Sequence, residues 1–210
     1  VVKPSAAEIL VVDARTAQQV GTVNTTGIDG GTFKVMDVQF VNGKLLATNL
    51  ATATSPILKV YVWNDGYDAA PSVLLNTTEL AGFSRIGDTF SVKGDLTSGE
   101  LLYAAGSTSE ENKIVKYAVS NGVASATPTT IVITEGTQGI KLGSSPRVVA
   151  DSKSNKYWVN GQNYYASLVS AEGMLESTLN SAELKNVYQG NSFNTFDFRG
   201  SSYGAALTYL

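Results

Sequence analysis

Cysteine and histidine are absent from the 210-residue chain. Without cysteine there is no disulfide framework, no thiolate nucleophile and no Cys/His zinc site. Without histidine, no Ser-His-Asp triad can be assembled. Charge is also scarce. Asp, Glu, Lys and Arg together make up 16%, against about 25% in typical soluble domains. The formal net charge is −3, from 15 basic and 18 acidic residues. No Lys/Arg cluster of the kind that tracks phosphates occurs, so no nucleic acid is expected as a partner. Long apolar runs are missing too. The longest are of strand length, such as Ile57 to Trp63, and Lys59 interrupts that one. A membrane-spanning helix needs about 20 apolar residues, so no transmembrane segment is expected. The chain opens Val1-Val2-Lys3-Pro4, with neither an initiator Met nor a signal peptide, as expected of a processed form or an excised piece.

Small and hydroxyl residues fill the space that charge vacates. Serine and threonine number 21 each and glycine 20, while hydrophobic residues reach 43%, enough for a core. Such a composition leans toward an exported protein. Apolar and polar residues alternate at period two over short runs, as in Val35 to Phe40, Leu58 to Val62 and Ile114 to Val119. Gly, Asn, Asp and Ser separate these runs. This is the pattern of β-strands joined by turns. Helical periodicity is nearly absent. Its best candidates are Ala171 to Leu184 and a short turn near Thr78 to Ala81.

A longer period organises the chain. Asn42-Gly43-Lys44-Leu45-Leu46, Ser98-Gly99-Glu100-Leu101-Leu102 and Ser154-Asn155-Lys156-Tyr157-Trp158 recur at an offset of 56 residues. Each is a polar turn followed by an apolar strand, which predicts a hairpin. The same offset relates Lys59-Val60-Tyr61-Val62 to Val115-Lys116-Tyr117-Ala118, and Arg85-Ile86-Gly87 to Lys141-Leu142-Gly143. Gly31, Gly87 and Gly143 share one register. Five matches at one offset point to a tandem unit.

Each unit reads as four strands. The first comprises Lys34 to Phe40, Lys44 to Asn49, Ile57 to Trp63 and Ser72 to Leu75. The second comprises Thr89 to Leu96, Glu100 to Ala105, Lys113 to Val119 and Thr129 to Thr134. The third comprises Arg147 to Asp151, Tyr157 to Asn160, Tyr165 to Ser170 and Glu176 to Leu179. Four short strands per repeat of this length predict an all-β fold, a β-propeller of four-stranded antiparallel blades. The blades are expected at about residues 33–76, 89–134 and 145–180 of a single domain, 1–210. A composite blade would combine 193–210 with 8–23. The composite would close a four-bladed ring by pairing the ends of the chain. Alternatively the chain is a segment of a larger propeller, with Val1-Val2 the tail of an earlier inner strand.

The runs Gly31 to Asn49, Lys59-Val60-Tyr61-Val62-Trp63 and Gly87 to Gly94 carry a resemblance. They are similar to a domain-of-unknown-function family of secreted proteins and lipoproteins from gut Bacteroidetes. Asn49-Leu50 and Lys59 to Trp63 match its rhythm, except that Val62 stands where Arg is common. The resemblance implies a propeller-like fold and export to the periplasm or cell surface. It carries over no catalytic residue.

No spacing selects a pair of carboxylates for acid–base chemistry from Asp88, Asp95, Asp151, Asp197, Glu135 and Glu183, and turn capping accounts better for Asp95, Asp151 and Asp197. Asn64-Asp65-Gly66-Tyr67-Asp68 has a calcium-like composition but reads as a hairpin turn. No metal or cofactor is expected. In a propeller, ligands meet the loops that enter the innermost strands. Arg85, Asp88, Lys141 and Arg147 are placed there, with Asn160 and Tyr164 on the same side. An Arg fork at Arg147 would suit a carboxylate or sulfate, or else an ion pair between blades. The amide-rich loop Asn160 to Tyr164 ends in aromatic rings and is the most carbohydrate-like segment. Trp63 and Trp158 lie in strands, where packing between blades accounts for them.

The expected function is a non-catalytic binding or scaffold module on an exported bacterial protein, recognising a carbohydrate or a cell-surface protein. Two alternatives remain: a carboxylate-based glycosidase or polysaccharide lyase, and a structural segment that assembles with another chain.

Overall fold

The protein is described by a computed structural model covering residues 1–105, 113–143, 146–179, 192–198 and 201–207. Short antiparallel strands build all of it; one 3-10 turn at Pro4–Ala6 is the only helical element among these residues. The first sheet holds β1 (Val2–Lys3), β2 (Glu8–Val12) and β3 (Gln19–Thr22), in that order. The second runs β4 (Phe33–Val41), β5 (Lys44–Thr52), β6 (Leu58–Trp63) and β7 (Ser72–Thr77), with β8 (Arg85–Ile86) beside the end of β5. The third runs β9 (Ser91–Gly94), β10 (Ser98–Ala105) and β11 (Lys113–Ser120). Its outer strand is split into β12 (Val123–Ala124) and β13 (Thr129–Val132), both paired to β11. A small hairpin, β14 (Thr134–Glu135) with β15 (Gln138–Gly139), precedes the fourth sheet. That sheet runs β16 (Arg147–Ala150), β17 (Tyr157–Gly161), β18 (Tyr164–Val169) and β19 (Leu175–Thr178). Last come β20 (Ser192–Phe198) and β21 (Ser201–Leu207), paired with each other.

Local sequence explains these elements. Asn42 and Gly43 both take positive φ, 47° and 80°, the two-residue turn that matches strand twist in a hairpin. It joins β4 to β5 with Val41 opposite Lys44. Between the sheets the alternation of side chains does the work. On β5 and β6, Leu46, Val60 and Val62 face Leu101, Tyr103, Val115 and Tyr117 of the third sheet. Ala47, Tyr61 and Trp63 point the other way, against Ile9 and Val23 of the first. A third cluster joins Leu102, Ile114 and Ile133 to Val148, Tyr157 and Val159. Consecutive sheets therefore pack face to face, and the middle strands are apolar on both faces because both are buried. Trp63 lies between the first and second sheets, as expected, and its indole N–H donates to the Asn24 carbonyl at 2.9 Å.

Among the described residues, the starting strands β1, β4, β9 and β16 each have one ladder partner and one open edge. Side chains bridge the edges of β4, β9 and β16. Thr89 Oγ1 donates to the Pro146 carbonyl at 3.0 Å, and Ser91 Oγ to the Val148 carbonyl at 2.8 Å. The Phe90 N–H donates to Asp37 Oδ2 at 3.1 Å. The second, third and fourth sheets are thus stitched together along their inner edges.

Asn49, wholly buried, anchors the loop end of β5. Its Nδ2 donates to the Ile57 carbonyl and its Oδ1 accepts from the Lys59 N–H, both at 2.8 Å. Two glycines of the common register close on it. A Cβ at Gly31 would lie 2.4 Å from Asn49 Nδ2, and one at Gly87 would lie 2.2 Å from the Asn49 carbonyl oxygen. Both glycines have positive φ, 72° and 105°. The shared register thus reflects a requirement for close approach at the entry to each inner strand.

The ends of the chain do not share a sheet among the described residues. The side of β2 that β20 or β21 would need is occupied by β1, through Val2 opposite Ile9 and Lys3 opposite Glu8. Nor is Ala171 to Leu184 helical over its described part, 171–179. Gly173 takes φ 98° in a turn, and β19 follows; Asn180 to Leu184 lie outside the described residues. Thr78 to Ala81 also forms no helix.

Gly87→Ala is expected to lower stability by about 2 kcal/mol or more, from strain at positive φ plus the clash with Asn49. Gly66→Ala, with φ 88° but open space around it, should cost only about 1 kcal/mol. Urea denaturation of the two variants measures the difference, and equal losses would refute the packing role.

Candidate functional site

The inner ends of β4, β9 and β16 meet, and the sequence-derived candidates occupy the entry side of these strands. Arg85 and Asp88 pair with each other. Arg85 Nε donates to Asp88 Oδ2 at 2.8 Å and Nη2 to Oδ1 at 2.5 Å, a two-pronged bond over three residues. The pairing raises the Arg85 pKa further and occupies both groups. Thr89, next to Asp88, holds Pro146, so this pair sits beside the start of β16.

Arg147 and Asn160 are cross-strand partners on β16 and β17. Asn160 is buried; Arg147 is half-buried, and its Nε is buried with no hydrogen-bond partner among the described residues. Lys141 is exposed, and its carbonyl accepts from Asn163 Nδ2 at 3.2 Å. Tyr164 is half-buried against the Ile140–Leu142 cluster, its hydroxyl 3.5 Å from Glu135 Oε2. Burial and the neighbouring carboxylate raise the Tyr164 pKa. The structure therefore brings the six candidates together as three local groups, Arg85 with Asp88, Arg147 with Asn160, and Lys141 with the Asn163–Tyr164 turn.

Asp37 is the residue that sequence reading missed. It lies on β4, and its carboxylate accepts from the Val38 N–H at 2.9 Å, from the Phe90 N–H and from the Gln39 side chain. Burial raises its pKa above the ordinary aspartate value. The field of Arg147 and these hydrogen bonds oppose the rise without cancelling it. Beside it lies the wholly buried Tyr103, whose hydroxyl is 2.9 Å from Thr48 Oγ1. Burial pushes the Tyr103 phenol far up, and the Asp37 charge adds to this. A register shift between Phe33 and Asp37 explains the oversight. Between the pairs Phe33–Leu50 and Asp37–Thr48, β4 advances four residues while β5 advances two, so the irregular stretch breaks the simple alternation: Val35 joins the core toward the first sheet while Asp37 bonds toward the third.

At the far ends of the same strands lies a cleft of about 420 Å³. Gln39, Phe40, Lys93, Asp151, Ser152 and Ser154 are among the residues that line it; none of the six candidates does. Asp151 accepts from Ser154 Oγ at 2.7 Å and from the Trp158 indole at 3.2 Å, and the Ser154 bond is the main reason its pKa is lowered. Lys93 Nζ sits 5.3 Å from the centre of the Tyr157 ring. Asp37 reaches this cleft through its bond to Gln39. A turn rich in Ser and Asp after β16 was visible in the sequence, but nothing there placed it against β4.

Two tests follow. Ser91→Ala leaves the Val148 carbonyl without its donor and is expected to cost about 1–3 kcal/mol; a chemical denaturation midpoint equal to that of the parent would contradict the edge-closing role. For Asp37, the raised pKa means that the folded state holds its proton more tightly than the unfolded chain does. The stability this confers is complete below the ordinary aspartate pKa and is lost as pH rises through the raised one. The melting temperature of Asp37→Asn relative to the parent should therefore climb as pH rises above the ordinary aspartate pKa of about 4. A constant offset would count against a raised pKa.

Comparison with known proteins adds context to this geometry. No curated protein matches the sequence. A crystal structure of a DUF4623 family protein from Bacteroides eggerthii DSM 20697 is similar, with a TM-score of 0.68 at 15% identity. The match covers 91% of this chain and 42% of that one, so the chain spans less than half the length of its structural neighbour. At this identity the likeness concerns the fold. The family model described as "Domain of unknown function (DUF4623)" matches residues 4–208, and the chain belongs to that family.

Proposed function

We propose that this chain is a non-catalytic recognition module of an exported bacterial protein, that its sheets are the blades of a β-propeller, and that its ligand is a glycan. The propeller reading is supported by three consecutive sheets of up-and-down order, packed face to face, with their first strands side by side. Export draws support from the charge-poor composition rich in Ser, Thr and Gly.

The observation that carries the ligand class is the cleft at the ends of β4, β9 and β16. It is lined by an amide, hydroxyls, one cation and one carboxylate. Such a set can both donate to and accept from sugar hydroxyls, and its charges are balanced. Hydrolysis by paired carboxylates draws less support. Asp151 is the one acidic residue among the described cleft-lining residues, and it is engaged by Ser154 and Trp158.

A glycan array followed by calorimetry tests the reading. An oligosaccharide should bind the parent protein, and Lys93→Ala with Asp151→Asn should weaken it at least tenfold. A protein that binds no array glycan, or whose binding is indifferent to both substitutions, would refute it.

A further inference from the structure

We infer that Phe40 is the stacking platform of this cleft and that it selects equatorially substituted, β-linked pyranoses of the glucose configuration. The inference rests on the glycan reading above and narrows it to a ligand class. Phe40 is 71% exposed, an unusual position for a large apolar ring, and it lines the cleft together with the polar residues. It also borders an apolar groove of about 460 Å³ between the first and second sheets, lined by Val11, Val12 and Val38 among others. The strand pleat explains the placement. Beyond the register shift, Asp37, Gln39 and Val41 alternate with Val38 and Phe40. Val38 packs toward the first sheet and Val41 toward the third. Phe40, last on its side of the strand, stands at the rim where polar cleft and apolar groove meet.

An exposed ring beside hydrogen-bonding groups suits a ligand with one apolar face and a polar edge. A pyranose whose hydroxyls are all equatorial has such faces, because its axial C–H bonds form continuous apolar surfaces above and below the ring. These C–H groups meet the negative face of an aromatic ring favourably. The equatorial hydroxyls then reach sideways to Gln39, Lys93, Asp151, Ser152 and Ser154. An axial hydroxyl interrupts one of these two faces, so such a sugar can stack only by the other and offers its hydroxyls to the polar wall in fewer orientations.

The test is calorimetry of the full chain with cellotetraose and with an α-linked mannotetraose, for the parent and for Phe40→Ala, Phe40→Leu and Phe40→Trp. The parent should prefer cellotetraose. Phe40→Ala should weaken it about tenfold and narrow the preference over the mannose ligand, Phe40→Leu should fall between, and Phe40→Trp should bind at least as well. The indole of Phe40→Trp should also change its emission on adding cellotetraose. Equal cellotetraose affinity in the parent and Phe40→Ala, or unchanged emission despite retained binding, would overturn the platform while leaving the glycan reading intact. Preference for the mannose ligand would overturn the selectivity alone. Failure of the parent to bind any array glycan would overturn the glycan reading itself, and this inference with it. Because Phe40 is exposed, melting temperatures within about 2 °C of the parent are expected for all three variants, which separates lost binding from lost folding.

Discussion

Among the described residues, the first strands of the second, third and fourth sheets have a ladder partner on one side only. An open strand edge exposes N–H and C=O groups that must be satisfied, and left bare it invites pairing with other chains. The protein closes these edges with side chains. Thr89 and Ser91 donate across to the carbonyls of Pro146, just before β16, and Val148, within it, and Asp37 accepts from Phe90, just before β9. Hydroxyls suit this task because they are short, carry a donor and bring no charge into the interior. The abundance of Ser and Thr and the scarcity of charge thus have a mechanical meaning. The inner strands can lie side by side without forming a continuous sheet.

The same constraint explains why a carboxylate is kept inside. Asp37 accepts three hydrogen bonds, and Arg147 lies near enough for its field to act on it. Desolvation still outweighs them, so the group is held at a cost in its ionised form. In return it ties β4 to the third sheet and fixes Gln39 at the cleft. Structural closure of the edge and arrangement of the cleft are therefore coupled through one residue.

The fold was largely legible. The period-two runs, the Asn-Gly turns and the 56-residue offset located the strands of the three middle sheets to within a few residues. They did so because hairpin order and double-sided burial both leave local marks. The Asn49-Leu50 and Gly87 matches proved to be a packing knot, where two glycines close on one buried amide. The site was less legible. The six candidates were chosen by loop position, and the structure divides them into local groups in which Arg85 and Asp88 consume each other's charge. Asp37 escaped notice because two extra residues before it on β4 break the regular alternation of its strand. Phe40 read as an ordinary strand residue, since alternation gives a face but not whether anything covers it.

The sequence by itself determined the all-β class, the strand order within the three middle sheets, the turns and the chemistry open to any site, because these depend on residue type and short-range spacing. Tertiary structure alone decided which strand lies beside which across sheets, which polar groups are desolvated and where a cleft is left. Those outcomes depend on long-range packing between residues about 50 positions apart, such as Asp37 with Phe90 and Ser91 with Val148. No local pattern encodes such a meeting; the competing demands of burial and hydrogen bonding settle it.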